Sequence, residues 1–433
     1  MSREQLKQAH VLRKYNEGLI SRKDTATALR LSERQITRLS KGVRDEGETA
    51  LIHKNTGRKP SHALSDEQKE SILEIRKDEK YAKCNHQHFQ ELLEREHGIK
   101  ISYSALYALL KSSGIESPKK RRKTVKHRRR KRKQRSGELL QIDATPYDWF
   151  ESGNRQALHA SIDDATGQLT GLYITGNECL QGYFTIMRQT ILNFGVPLSA
   201  YSDKHTIFRS PLTEKKAELG EEANLTQFGR ALAELGVDLI HAHSPQAKGR
   251  VERLFETLQS RLPIEFKIRG ITTVEGANRF LCEEYIQQFN ERFAIEAENE
   301  SIFIPYTHRE SIDDILCVKE TRKTDNAGSF SFKGKRFKVL DEGHPLIPAK
   351  AEIEVLVTLQ DSIRVRYKER VYDTALNTNV ESKKPNARKS RVAERHVKPH
   401  LRHSSDEWKK VWHFENYDDT LSFIYEIFFK SAA

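Results

Sequence analysis

The amino-acid sequence predicts a multidomain chain: all-α units first, an α/β domain in the middle and a small all-β domain towards the end of its 433 residues. Three changes of pattern predict this order. Up to about Gly114, apolar positions recur at helical spacing, and Ser32/Gln35 and Ser65/Gln68 each make the Ser-x-x-Gln pattern that opens a helix. From Gly137, strands of period two alternate with helices. From Thr321, only short alternating strands remain.

In "GLISRKDTATALRLSERQITRLSKGVRDEG", a helix runs to a short turn at Arg30 and Leu31, and the Ser32/Gln35 box opens a second. That is helix-turn-helix spacing, and it places Glu33, Arg34, Gln35, Thr37 and Arg38 to face a major groove. An ordinary helical hairpin shares the pattern. A domain over 1–53 follows, then a Gly/Pro/Ser linker, "KNTGRKPSHAL". A second helix-turn-helix-like domain spans 65–114, with helices in "LSDEQKESILEIRKD" and "NHQHFQELLEREHG". "IKISYSALYALLKSSG" adds a short strand and a final helix.

The net charge is +13, and thirteen Lys/Arg lie in Lys119 to Arg135, "KKRRKTVKHRRRKRKQR". Without them the chain has 61 basic and 61 acidic residues, so the excess belongs to one linker, 115–136. A block of like charge stays extended and, beside DNA readers, tracks phosphates; Lys119, Arg121, Arg128, Arg130 and Lys131 are the expected contacts.

The α/β domain spans 137–300. "ELLQIDATPYDWF" predicts a strand ending near Asp143, and "QALHASIDDATGQLTGLYIT" two strands joined by a hairpin turn at Asp164–Gly167. A helix in "LQGYFTIMRQTILNFG" closes on Gly195. "PLSAYSDK" is a short strand ending near Asp203, followed by an irregular insert. "LTQFGRALAELG" is a helix, "VDLIHAHS" a strand, and "SPQAKGRVERLFETLQ" a loop and helix. The order β-β-β-α-β-α-β-α is that of a ribonuclease-H-like fold. Over 321–378, alternation at Phe330, Phe332, Phe337 and Val339 and again at Ile353, Val355 and Val357 predicts a small β-barrel. A basic tail over 379–433 ends in an aromatic-rich helix from about Asp418.

Three carboxylates stand out by position. Asp143 and Asp203 end neighbouring strands, where open sheets gather functional groups. On the last helix Val251, Leu254, Phe255 and Leu258 form the buried stripe, and Glu252 flanks it with Glu256 one turn later. Two like charges at that spacing repel, so a cation is expected near them. Hard Mg²⁺ binds oxygen ligands, and two ions about 3.5–4 Å apart can activate an attacking oxygen and stabilise a leaving one in phosphoryl transfer. Asp163 and Asp164 are also acidic; Asp164 reads as turn chemistry.

"QIDATPYDWF", "SIDDATGQLTGLYI", "YSDKHTIFR" and "SPQAKGRVERLFETLQSRL", in this order and at these spacings, resemble the integrase core of DDE transposases. The likeness is nearest to the ISNCY group of bacterial insertion-sequence transposases, covers about Gly137 to Phe293, and extends weakly to the N-terminal helix-turn-helix. It implies Asp143, Asp203 and Glu252 as a triad holding two Mg²⁺ or Mn²⁺ ions, with Glu256 the rival for third place. It further implies hydrolytic exposure of a 3′-hydroxyl at each transposon end and attack of that hydroxyl on target DNA, by at least a dimer. Lys204, His205, Lys248, Arg250 and Arg253 then take phosphate contacts, Gly249 permits close backbone approach, and Trp149 belongs to the core. The β-rich part is similar to the barrels that follow the core in phage Mu-like transposases. No paired-His, paired-Cys zinc domain of retroviral integrases is present, so zinc is not implied.

Other classes fit less well. Cys84, Cys179, Cys282 and Cys317 form no CxxC pair, and "CNHQH", Cys84 to His88, lacks a second ligand pair for zinc. No apolar run approaches the roughly 20 residues of a membrane span and "MSREQLKQAH" is no signal peptide, so the cytoplasm, at the nucleoid, is the expected location. Two rivals share the fold: a transposase-derived DNA-binding regulator, which a broken triad would mark, and a structure-selective nuclease, which needs no sequence reader.

Overall fold

The structure, a computed structural model, describes residues 3–52, 64–118, 131–203, 205–208, 225–241, 249–307, 311–340, 343, 345–360 and 362–377. Of the expected DNA contacts, Lys119, Arg121, Arg128, Arg130, Lys204 and Lys248 lie outside the described residues, as do most of the insert after Asp203 and the tail from 378. The chain forms two compact units, Met1–Arg76 and Lys77–Ala433.

In the first unit, α1 (Arg3–Asn16), α2 (Arg22–Leu29) and α3 (Glu33–Glu46) enclose Ala9, Leu12, Ile36 and Leu51. α2 stops because Arg30 turns left-handed, with φ of 52°. Two residues later the box closes: Gln35 N–H donates to Ser32 Oγ and Ser32 N–H to Gln35 Oε1, which satisfies two donors at the helix start. Arg34, Gln35, Thr37 and Arg38 are exposed on α3, away from Ile36. The Ser65/Gln68 box likewise opens α4 (Asp66–Lys77).

The second unit begins with α5 (His86–His97) and α6 (Tyr103–Ser112). The strand expected at Lys100–Ser102 does not form. Ile99 N–H instead returns to Leu93 O across Gly98, and Gln90 Nε2 donates to Ile101 O, so helix closure uses the groups a partner strand would need.

A five-stranded sheet follows, in the order β3-β2-β1-β4-β5. β1 (Leu140–Tyr147), β2 (Gln156–Asp163) and β3 (Leu169–Thr175) are antiparallel, while β4 (Ser199–Ser202) and β5 (Asp238–His241) run parallel to β1. β1 does not end near Asp143 as its sequence suggests. It pairs with β2 as far as Tyr147, whereas its ladder to β4 covers only Leu140 and Gln141.

Alternation along β1 sorts the core into two faces. Leu140 and Ile142 join α7 (Leu180–Asn193) and α8 (Gln227–Glu234) through Tyr183, Phe184, Met187 and Phe228. The other face carries Leu158, Ala160 and Ile162 under Val251, Leu254, Phe255 and Leu258 of α9 (Gly249–Gln259), with Trp149 fully buried beside them. α10 (Leu262–Arg269), α11 (Val274–Phe280) and α12 (Ile286–Phe293) extend this layer. α7 approaches β2 so closely that a Cβ at Gly182 would stand 2.4 Å from the His159 ring. Gly182→Ala is therefore expected to destabilise the fold by about 1–3 kcal/mol through overpacking, read as a lower urea midpoint at unchanged slope.

The C-terminal sheet has six antiparallel strands, β6 (Val318–Lys323), β7 (Ser329–Phe332), β8 (Lys335–Val339), β9 (Glu352–Val357), β10 (Ile363–Tyr367) and β11 (Arg370–Leu376), in the order β6-β9-β10-β11-β8-β7. Between the described edge strands no backbone ladder closes a barrel; Arg322 over the Phe332 ring and Lys333 with Glu320 join them through side chains. β8 (Lys335–Val339) returns from β7 through Lys333 and Gly334, both at positive φ, the turn that matches strand twist. This sheet shares the core of α7 and α8: Ile312, Leu316, Val318, Phe330 and Val355 continue that cluster. Lys319 reaches Glu234 at 2.7 Å and Arg188 reaches Asp313 at 2.7 Å. Among the described residues no helix is long and apolar enough to cross a membrane.

Candidate active site

Leu140 pairs with Ala200 and Gln141 with Tyr201, where the parallel ladder ends; Asp143 and Asp203 each stand two residues beyond it on adjoining segments, and the charges of both act on the Tyr183 phenol. Asp143 shares its side of the sheet with Gln141 and with its β2 partner Ala160, the side that α9 covers. Both aspartates are half-buried, and Asp203 Oδ1 accepts the His205 N–H at 2.9 Å.

Tyr183 lies on the other, α7 side of the sheet. Its hydroxyl donates to Glu178 Oε1 at 2.6 Å. Burial pushes the phenol well up, and the charges of Glu178, Asp143 and Asp203 push it further, so it stays a neutral donor among three carboxylates. Its ring stands edge-on to His159, with centroids 4.8 Å apart. His159 is fully buried, which lowers its pKa to about 4, and its Nε2 accepts the Cys179 N–H. Neutral His159 thus holds the start of α7, and with it Tyr183.

α9 is fastened to β1 at its first turn. Val251 N–H donates to Gln141 Oε1 at 3.3 Å, Gln141 Nε2 donates to Asp164 Oδ1 at 2.8 Å, and Arg250 Nε donates to the same oxygen at 2.7 Å. This changes two expectations. The turn carboxylate is Asp163, which accepts from Thr166 N and Oγ1 and from Gly137 N, whereas Asp164 points the other way into the Arg250 pair. Arg250, expected on phosphate, keeps its Nε on a fully buried carboxylate and is only 15% exposed. A Cβ at Gly249 would meet nothing nearer than Arg253 at 3.8 Å, so no described contact demands glycine there.

Glu252, Arg253 and Glu256 are exposed on α9, as is Lys131 before β1. Sequence reasoning missed Arg132, which donates to Ala165 O at 3.0 Å. Burial and the charges of Arg250 and Arg253 lower its pKa against the pull of Asp164, so three guanidiniums gather near one buried carboxylate. Tyr183, Glu178 and the Gln141 bond were also missed; only Gln141, two residues before Asp143 on one strand face, left a readable signal.

The carboxylates of Asp143 and Asp203 are the hard oxygen donors that Mg²⁺ prefers. Among the described residues no group of three or more His, Cys, Asp or Glu is close enough to hold a metal ion.

Searched against protein-family models, the chain matches none. It is 35% identical over 399 residues to the transposase for insertion sequence IS1202 of Streptococcus pneumoniae, covering 84% of this chain and 84% of that protein. It is 34% identical over 339 residues to y4bF of Sinorhizobium fredii, which carries a transposase name, covering 78% and 73%. A solved HTLV-2 integrase catalytic core domain in complex with magnesium aligns at 15% identity and a TM-score of 0.27, covering 38% of this chain and 92% of that one, a likeness too slight to argue from. Identity of this extent over most of both chains shows the family: the chain belongs to the insertion-sequence transposases.

Proposed function

We propose that the protein binds the terminal inverted repeats of its element and transfers their 3′ ends into target DNA, as a polynucleotidyl transferase of the DDE type within the ISNCY group. The β1–β4 ladder, which leaves Asp143 and Asp203 two residues beyond it on adjoining segments, supports this reading, with Glu252 on the helix that covers the Asp143 face. Asp143, Asp203 and Glu252 would hold two divalent ions, Mg²⁺ or Mn²⁺. Such ions lower the barrier by polarising the scissile phosphate and the attacking oxygen. The chain's own residues orient the reactants: Arg253, Lys131 and Arg132 offer charge to the backbone beside the site. The exposed face of α3, with Arg34, Gln35, Thr37 and Arg38, reads the repeat, and the basic linker follows the DNA between reader and core. Cutting two ends needs two such cores, hence at least a dimer on DNA.

Pre-cleaved end DNA, a target plasmid and Mg²⁺ test this directly. Wild type is expected to join the ends and Glu252→Gln to lose joining by roughly 10³-fold while binding ends normally. Joining by both would move the third carboxylate, to Glu256 first. End-binding without joining by wild type would favour the regulator.

A further inference from the structure

We propose that Gln141, Asp164 and Arg250 are positioning residues that pin the first turn of α9 to β1 and so aim Glu252 at Asp143; this rests on Glu252 being a site carboxylate. The first N–H groups of a helix have no partner within it. Here Val251 N–H is taken by a side chain of β1, Gln141 Oε1. The Gln141 amide is oriented in turn by Asp164, which is 0% exposed and accepts Gln141 Nε2 and Arg250 Nε on Oδ1 and the Lys133 N–H on Oδ2. A buried carboxylate with three donors is a fixed point rather than a solvated charge.

The geometry ties this point to the site. Successive residues on a helix turn by about 100°, so Arg250 and Glu252 flank Val251, which faces the sheet. Arg250 is drawn towards Asp164, whose own N–H bonds Leu139 O at the start of β1. Glu252 is therefore aimed along β1 in the other sense, towards Asp143. Gln141 and Asp143 are two residues apart on one strand face, about 7 Å. A rotation or slip of the first turn would carry Glu252 away, and the three residues oppose that motion. Asp164 also holds Lys133, at the end of the basic segment, so one carboxylate sets both where that segment enters and how α9 begins.

The experiment uses full-length Gln141→Leu, which fills the same space without hydrogen bonds, and the milder Asp164→Asn and Arg250→Lys, with Thr272→Ala, exposed before α11, as control. Mn²⁺ binding to DNA-free protein, followed by electron paramagnetic resonance, is expected to weaken about 10-fold or more in Gln141→Leu and Asp164→Asn and to stay unchanged in Thr272→Ala. The Val251 amide is expected to exchange roughly fivefold faster in Gln141→Leu. In strand transfer the half-saturating Mg²⁺ rises while end-DNA affinity holds, and Arg250→Lys recovers part of the loss. Unchanged Mn²⁺ binding and Val251 exchange in Gln141→Leu would overturn the proposal. So would an Arg250→Lys whose only defect is weaker DNA binding, since that marks a phosphate contact. Glu252→Gln separates the premise from the pin: Mn²⁺ affinity and joining equal to wild type would remove Glu252 from the site, while Val251 exchange in Gln141→Leu still reads the pin by itself.

Discussion

Asp143→Asn is expected to lower strand transfer by about 10³-fold or more, with binding of end DNA kept within about twofold. The substitution keeps the side chain's shape and removes the charge that a divalent ion requires. Asp143 holds no apolar core position and is half-exposed, so the melting temperature should change little. Asp203→Asn should match it. The double variant should be no worse than either single one, because carboxylates that serve the same ions fail together. Gel assays of end binding and of joining, run on the same preparations, check both halves. Equal loss of binding and joining would mean that the aspartates support the fold or the DNA path rather than the chemistry.

The second large effect is expected at Glu265, far along the sequence from the helix it anchors. Its Oε1 accepts His88 Nε2 at 2.8 Å and its Oε2 accepts Arg95 Nη2 at 2.6 Å and Arg269 Nη1 at 2.5 Å, which docks α5 on α10. Burial by itself would raise this carboxyl, but the bonds from His88 and Arg95 outweigh it and hold the pKa at about 2. Burial lowers the pKa of His88, which therefore donates as a neutral ring. Glu265→Leu leaves cations without their partner and is expected to cost about 3 kcal/mol, the lower end for a broken buried pair because Arg95 and Arg269 can turn to water. Glu79→Ala, at the exposed pair with Lys267, should change nothing measurable.

The same groups set the response to acid. Glu265 has a folded pKa below its ordinary 4.5, so its contribution is complete above that value and is lost as pH falls from about 4.5 to about 2. His159 is depressed from 6.5 to about 4, so its contribution is complete above 6.5 and drains over that interval. His88 acts in the same direction. Urea midpoints should fall steadily below pH 6.5, and in Glu265→Leu the part of the fall below pH 4.5 should shrink.

Local chemistry was legible wherever the cause lay within a few residues. Ser32 and Gln35 close a capping box because both partners lie in one turn, and Gly195 ends α7 at φ of 110°. The buried stripe of α9, Val251, Leu254, Phe255 and Leu258, followed from spacing alone. Reading failed where local preference met a distant partner. "IKIS" has the composition of a strand, yet its backbone closes α5. Asp163 and Asp164 are adjacent and identical, but neighbouring residues point apart, so one caps the turn and the other meets Arg250, 86 positions later.

By itself, then, the sequence determined the order of elements and the concentration of positive charge in one segment, because charge, periodicity and capping act over one or two turns. Tertiary structure decided the pairings between distant segments. The β1–β4 ladder joins Leu140 to Ala200 and Gln141 to Tyr201, and the bonds of Gln141 with Val251 and Asp164 hold the start of α9. Such pairings join residues far apart in the chain, and their free energy depends on which partners arrive together when the core closes, a quantity that no short window of residues contains.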